Sequence, residues 1–285
     1  MQPGKGAVVI TGASTGIGEA CALHLDRLGF TVFAGVRRAT DGAALQAQAS
    51  VRLVPLMLDV TDEANITAAA QTVQTAVGAA GLAGLVNNAG IAVAGPLEYL
   101  PLAELRHQLE VNVIGQIAVT QAMLPLLRQG HGRVVNIGSI SGKLASPLLG
   151  AYAASKFAME ALTDVLRMEL RPWGLQVAIV EPGATLTPIW QKSLAAGDAL
   201  AAAMPAEVQA RYGKAMELTR SAARRNARAG TPPQQVADAV AHALTAARPK
   251  TRYPVGRDAR IGSLLVRFLP DRTRDRLLGG RLQQS

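Results

Sequence analysis

Cysteine is nearly absent from this 285-residue chain, where Cys21 stands alone. One thiol cannot form an intramolecular disulfide, and a zinc site built on several thiolates is excluded. Histidine is sparse as well. His24, His107, His131 and His242 lie far apart with no carboxylate at ligand spacing, so no metal site is expected. Aromatic residues make up only 4% of the chain. They are not interleaved with the basic residues as a nucleic-acid stacking platform would require, so no nucleic-acid partner is expected. Uninterrupted apolar runs of about eighteen residues, the length that spans a bilayer, are missing too. The first apolar run begins by Ala7, which leaves no room for the charged and apolar regions of a secretion leader. The expectation is a cytoplasmic chain with no integral membrane segment.

Negative charge is scarce in one region only. Residues 1–185 carry twelve Lys/Arg against thirteen Asp/Glu, whereas residues 186–285 carry seventeen against seven, so the whole net charge of +9 is C-terminal. A basic segment of this kind attracts anionic cofactors, acidic proteins or anionic lipid, although a solvated basic surface is the simpler reading.

What is present is an alternation. Short apolar runs at Ala7–Thr11, Thr31–Val36, Arg52–Leu58, Gly84–Val86, Gly132–Ile137 and Gln176–Val180 have the composition of strands buried on both faces. Between them Gly16–Leu28, Glu63–Val77, Leu102–Leu127 and Tyr152–Arg171 place apolar residues three and four apart over lengths that can cross a sheet. The pattern predicts an α/β fold, a Rossmann-type doubly wound parallel sheet forming a single domain over residues 1–285. Residues 184–230 are rich in Ala, Leu, Met and Arg without a clear strand and are read as a substrate lid. A helix over Pro233–Ala247 and a short strand over Arg252–Val255 follow. Residues 257–285 form a C-terminal arm in which Pro270 is expected to end or kink a helix. Its apolar and basic mixture suits packing on the enzyme or on a second subunit, with a membrane surface as the alternative.

The first chemical motif, Thr11-Gly-Ala-Ser-Thr-Gly-Ile-Gly18, lies between the first strand and the first helix. Gly12, Gly16 and Gly18 permit a tight turn and a close approach to a pyrophosphate, while the helix N-terminus offers free N–H groups and a positive dipole end. Three residues separate the first two glycines, so the spacing is not that of the commonest dinucleotide fingerprint. The second strand ends Gly35-Val-Arg-Arg38, with arginines where an NAD enzyme usually offers a carboxylate to the ribose. Arg37 and Arg38 would grip a 2′-phosphate, so NADP is expected ahead of NAD.

Further along stand Asp59-Val60, Asn87-Asn-Ala-Gly90, Asn112, Ser139, Tyr152-Ala-Ala-Ser-Lys156 and Pro182-Gly183. Asn112, Ser139, Tyr152 and Lys156 are separated by 27, 13 and 4 residues. In its order and spacing this set, over roughly residues 5–190, resembles the classical short-chain dehydrogenases/reductases. The residues themselves make chemical sense. Tyr152 and Lys156, four apart on a helix, share a face. A neighbouring ammonium, with a positive nicotinamide, is expected to lower the phenol from its ordinary value of about 10 and make Tyr152 an acid/base near neutrality.

The resemblance implies further roles. Lys156 also binds the nicotinamide ribose, Ser139 holds the substrate oxygen, and Asn112 supports a proton-relay water. Cofactor contacts are implied for Gly12, Ser14, Thr15, Gly16, Ile17, Gly18, Asp59, Val60, Asn88, Ala89, Gly90, Tyr152, Lys156, Pro182, Gly183, Thr185 and Thr187. Asp59 and Val60 would meet the adenine, and the segment Ala184–Thr187 the carboxamide. The expected reaction is hydride transfer between NADP(H) and a secondary alcohol or ketone, lipophilic because Leu194–Met204 can line an apolar pocket. A homodimer or homotetramer is expected by analogy. The alternatives are a reductase of 3-oxoacyl thioesters on a carrier protein or CoA, and a nucleotide-binding redox sensor that does not turn over.

Overall fold

Each short apolar run becomes a strand; the inner strands are covered on both faces, whereas one edge strand exposes Val54 and Met57. In the computed structural model, which describes residues 5–202 and 204–279, seven strands form one sheet: β1 (Ala7–Ile10), β2 (Thr31–Val36), β3 (Leu53–Met57), β4 (Gly84–Asn87), β5 (Arg133–Ile137), β6 (Gln176–Pro182) and β7 (Arg252–Val255). All neighbours are parallel, in the order β3-β2-β1-β4-β5-β6-β7. The order reverses between β1 and β4, and a doubly wound sheet opens its ligand crevice at that point, beyond the carboxyl ends of the strands.

Helices α1 (Gly16–Arg27), α2 (Ala39–Gln46), α3 (Glu63–Val77), α4 (Leu102–Leu109), α5 (Gly115–Gln129) and α6 (Gly150–Leu170) alternate with the strands. After β6 come α7 (Ile189–Ala202), α8 (Ala206–Ala229) and α9 (Pro233–Thr245), and after β7 come α10 (Arg257–Phe268) and α11 (Asp271–Gly279). The period of two in β1 shows why two layers are needed. Val8 and Ile10 face a core built with Cys21, Ala22 and Leu25 of α1 and Val236, Ala237 and Val240 of α9. Ala7 and Val9 face the opposite core, with Ile66, Ala69 and Val73 of α3 and Val119, Met123 and Leu127 of α5. Cys21 is fully buried in the α1/α9 core, and burial pushes its thiol up to about 12, so it packs as a small apolar side chain.

Three elements differ from the sequence expectation. Helix α2 is short and carries Gly42, and its periodicity is too brief to register; Leu45 and Gly42 press it onto the β2/β3 edge. The lid segment resolves into α7 and α8. The helical run predicted over Leu102–Leu127 extends to Gln129 and contains a π turn at Glu110–Ile114. This run, Leu102–Gln129, is long and apolar enough by composition to cross a bilayer. It is nevertheless a core helix. One side packs on α3 and β4, and its buried polar residues Gln108, Asn112, Gln116 and Thr120 all bond inward. Pro270 separates α10 from α11, as expected. Residues 280–285 of the C-terminal arm lie outside the described residues.

Close backbone approach fixes how the π turn meets the sheet. A Cβ on Gly115 would stand 2.3 Å from the Val60 carbonyl oxygen and 3.0 Å from the Val60 Cβ, at the end of β3. Gly115→Ala is therefore expected to destabilise the protein by about 1–3 kcal/mol. Urea denaturation measures this, and an unchanged midpoint would mean that α5 can shift away from Val60 at no cost.

Candidate active site

The turn after β1 shapes the floor of the crevice. Gly12 and Gly16 both adopt φ of +64°, a left-handed conformation that side chains disfavour. A Cβ on Gly18 would lie 2.2 Å from the Gly12 carbonyl oxygen, so this glycine allows the helix to seat against the turn. Thr15 enters α1 in extended conformation without a side-chain cap, so the first-turn N–H groups of α1 remain available to an anion. Gly12, Ser14, Thr15, Gly16 and Ile17 line the cleft, whereas Gly18 packs behind it.

Thr11, Asn88, which lines the cleft as expected of a cofactor contact, and Gln116, which the sequence reading overlooked, join this turn to the end of β4. The Thr11 hydroxyl accepts from the Asn88 and Ala89 N–H groups, 2.9 Å each, and donates to Gln116 Oε1 at 3.3 Å. Asn88 Nδ2 donates to the Thr11 and Gly12 carbonyls at 2.9 and 3.0 Å, and the Gln116 amide closes the loop onto the Ala89 carbonyl. Deeper in the sheet Asn87 Nδ2 donates to Thr120 Oγ1 and to Asn136 Oδ1, whose own amide reaches Thr163 Oγ1. Gln108, Asn112, Gln116 and Thr120 were legible as a polar series at every fourth position of the Leu102–Gln129 run. An α-helix would carry such a series around its axis, and the π turn at Glu110–Ile114 takes up the drift.

On the adenosine side of the cleft Asp59, Val60, Ala89, Gly90 and Arg37 are lining residues. Burial alone would raise the Asp59 carboxyl, but two hydrogen bonds from Thr61, with Arg37 and His107 nearby, hold it below its ordinary value. Arg38 departs from the expected pair. Its Nε and Nη2 donate to the two oxygens of Asp41 at 3.0 and 2.9 Å, and it does not line the cleft. The reason is local: Asp41 sits in the first turn of α2, three residues on and within reach of the guanidinium fork.

Three strand ends and one helix bring the reactive groups together. Ser139 follows β5 in extended conformation; its Oγ accepts from the Ser141 N–H at 3.1 Å and bonds the Tyr152 phenol. Tyr152 and Lys156 lie one turn apart on α6, the Lys156 Nζ 5.8 Å from the tyrosine ring centroid. That ammonium donates to the Ile137 carbonyl at 2.8 Å. Burial lowers Lys156 to about 8. The Tyr152 phenol does not behave as the sequence suggested. Burial raises it above its ordinary value, and the Ser139 hydrogen bond offsets this only in part. The expected lowering is therefore not produced by the lysine alone, because Lys156 is itself desolvated and directs its charge at a backbone carbonyl.

Asn112 is buried in the π turn with its amide fully committed: Oδ1 accepts from the Ile91 N–H at 2.8 Å, and Nδ2 donates to the Ile91 carbonyl and to Ser155 Oγ. Ser155 in turn donates to the Tyr152 carbonyl at 2.7 Å. Asn112 thus fixes the tyrosine's turn of α6 through Ser155, and it lines the cleft. After β6, Pro182, Gly183, Thr185 and Thr187 line the cleft. A Cβ on Gly183 would stand 2.0 Å from Asp258 Oδ1, and Asp258 Oδ2 accepts from the Ala184 N–H at 2.6 Å. Asp258 of α10 is another residue missed, since nothing in its surroundings in sequence links it to β6. Trp190 donates from Nε1 to the Thr185 carbonyl at 2.9 Å and forms a wall shared with a second, apolar cavity of about 120 Å³. Leu148, Leu149, Leu194, Met204 and Met216 line that cavity, between the loop before α6 and the helices α7 and α8.

The family model for short chain dehydrogenases matches residues 6–197. Retinol dehydrogenase 5 of Mus musculus is 43% identical over 277 residues, 95% of this chain and 87% of that protein. The NADPH-dependent 3-dehydrocapnine reductase of Ornithobacterium rhinotracheale is 34% identical over 274 residues, 94% of each chain. Among solved structures, a short-chain dehydrogenase from Streptomyces avermitilis superposes with a TM-score of 0.78 at 28% identity, covering both chains completely. The chain belongs to the short-chain dehydrogenase family. It is an oxidoreductase with a nicotinamide-dependent fold.

Directly behind the site lies a charged cluster. Glu181, fully buried two residues before Gly183, takes Lys143 at 2.7 Å, and Glu160, one turn beyond Lys156, takes Arg252 at 3.1 Å. Burial, and then the Glu181 carboxylate, push Glu160 up to about 7 against the pull of Lys143 and Arg252. A carboxyl whose folded value lies above its unfolded value binds more protons in the native state, so stability falls as pH rises between the two. Unfolding free energy is expected to drop by about 1–3 kcal/mol from pH 4.5 to 7 through this group. Glu160→Gln should flatten that slope in denaturant titrations across the range. A slope unchanged by the substitution would show that Glu160 is ionised throughout.

Proposed function

We propose that the protein transfers hydride between NADP(H) and a lipophilic secondary alcohol or ketone. The observation that carries this reading is the meeting of Ser139, Tyr152 and Lys156 on the wall of one cleft, which shares Trp190 with an apolar cavity. The residues present suit a dinucleotide: an uncapped helix N-terminus behind a glycine turn, with Gly12 and Gly16 in left-handed conformation on the floor of the cleft. When bound, the nicotinamide supplies or accepts the hydride and, in its oxidised form, adds a positive charge beside the phenol.

In the reductive direction Tyr152 gives its phenolic proton to the carbonyl oxygen as the carbon receives hydride; in oxidation the phenolate takes the alcohol proton. Ser139 holds the same oxygen and keeps the tyrosine directed at it. Lys156 binds the ribose hydroxyls and favours the phenolate by its charge. Asn112 is a positioning residue acting through Ser155 on the Tyr152 turn. Helices α7 and α8 serve as the lid over the apolar cavity, a role in keeping with a retinol dehydrogenase among the relatives. An NADP preference draws on Arg37 alone in the cleft, on the absence of a carboxylate at Gly35 and Val36, and on the NADPH-dependent relative. We place the enzyme in the cytoplasm as a homo-oligomer. An exposed apolar stripe on α6, Ala154, Phe157, Ala161, Val165 and Met168, is the face on which a second copy would pack.

Tyr152→Phe should lower turnover by about 10²–10⁴-fold while cofactor affinity stays within about threefold, since the ring and its packing survive. Turnover near wild type would remove Tyr152 from the reaction. Steady-state rates with retinol, hydroxysteroid, short hydroxyacid and 3-oxoacyl-thioester panels choose the substrate class. Highest efficiency on the thioesters would install the carrier-linked reductase instead, and no turnover on any panel would favour a sensor.

Arg37→Ala should cost about tenfold or more in NADP(H) efficiency and little with NAD(H), whereas Arg38→Ala should change either by less because Asp41 already holds it. Equal efficiencies with the two cofactors in the wild type would make NAD the cofactor.

A further inference from the structure

Helix α10 leaves one face uncovered. Ala259 and Gly262 are buried against the body of the protein, Gly262 so closely that a Cβ would stand 2.7 Å from Ile140. On the opposite side Ile261, Leu264 and Phe268 follow at i, i+3 and i+7, so they share one stripe. They are 54%, 55% and 69% exposed. Large apolar side chains aligned like this on a surface mark an interaction face.

The charges around the stripe are of one sign. Arg257 lies one turn before Ile261 on the same face, and Arg260 and Arg267 run along its flank. Arg267 stacks near Phe268, with its guanidinium carbon 5.4 Å from the ring centroid. None of these three arginines has a carboxylate within salt-bridge distance among the described residues. Of the nearby acids, Asp258 turns inward to the Ala184 N–H and Asp271 is held by Arg274, while Asp275 lies exposed on α11. Beyond Pro270, α11 adds exposed Arg272, Arg276 and Leu277.

We propose that α10, extended by α11, is an in-plane docking face for an anionic lipid surface. An apolar stripe flanked by arginines is the arrangement that lets a helix lie at the boundary of headgroup and acyl chain, with guanidinium groups on lipid phosphates. A second copy suits this face poorly. A two-fold contact would set each arginine-flanked stripe of α10 against its own image, with Arg257, Arg260 and Arg267 opposed to like charges. The placement also has a use. Helix α10 starts at Gly256, straight after the carboxyl end of β7, and touches the Ser139–Gly142 turn and the Gly183–Ala184 segment. Docking through it holds the ligand end of the sheet near the bilayer, where a lipophilic alcohol would be dissolved; only that corollary rests on the proposed substrate class.

Flotation of the full chain with phosphatidylcholine vesicles, with and without phosphatidylglycerol, at physiological ionic strength tests the proposal. Partition onto the anionic vesicles is expected to exceed that onto neutral ones by about tenfold or more. Leu264→Asp with Phe268→Asp, and separately Arg260→Glu with Arg267→Glu, should each lower it by about tenfold. Both pairs should leave the melting midpoint unchanged, because the side chains are exposed. Wild-type protein that stays behind with anionic vesicles overturns the proposal. So does an apolar-stripe variant that floats like wild type, since charge alone would then act and an acidic protein would be the fitting partner. Light scattering closes the remaining route: if either variant changes the oligomeric state, a second copy covers α10 and the lipid assignment fails. Turnover of a water-soluble substrate should be unaffected in all variants, which separates failure of docking from failure of the proposed reaction.

Discussion

The hydroxyl of Thr11 is the point on which the site depends. Between β1 and β4 the sheet reverses direction, and two loops must leave side by side without burying their backbone groups unpaired. Thr11 satisfies two of those N–H groups at once and hands its own proton to Gln116. Asn88 returns the favour to the Thr11 and Gly12 carbonyls. The glycine turn keeps its left-handed conformation because these bonds determine it from both sides. Loss of the hydroxyl would strand two buried donors, at about 1–3 kcal/mol each, and would loosen the phosphate-facing turn as well as the fold.

The same economy of polar groups extends across the sheet. From Thr11 through Gln116 to Thr120, Asn87, Asn136 and Thr163, buried polar atoms are linked in a chain that ends on α6, the helix carrying Tyr152 and Lys156. Asn112 and Ser155 add a second tie one turn away. Buried polar networks are costly unless nearly every member is satisfied, and when they are satisfied they fix one arrangement. Here the arrangement fixed is the distance from the cofactor's glycine turn to the tyrosine, across three strands and two helices.

Much of this was readable before any coordinates. The α/β alternation, the glycine turn, the Ser139/Tyr152/Lys156 set and the break at Pro270 all come from local pattern: period, glycine placement and spacing along the chain. What escaped was non-local. Arg38 looked equal to Arg37 until Asp41 was seen to hold it, and Asp41 is on a helix too short to announce itself. Asp258 supports Ala184 from 74 residues away, across the end of the sheet. Tyr152 read as an activated phenol because sequence shows which charge is near but not how dry the pocket is. Gln108 and Gln116 could have been found. A polar residue at every fourth position along one helical run is a signal in its own right.

Asp258 also explains why the C-terminal helices belong to the site rather than to the periphery. Gly183 can have no side chain because Asp258 fills that space, and the Ala184 N–H is directed by the same carboxylate. Gly256, at φ of +98°, turns the chain so that α10 begins with Asp258 in its first turn, where the helix dipole favours a negative charge. One carboxylate therefore sets the backbone that borders the cleft at Gly183 and the direction in which α10 leaves the sheet. The outward face of α10 is then a geometric consequence of how the cleft is built.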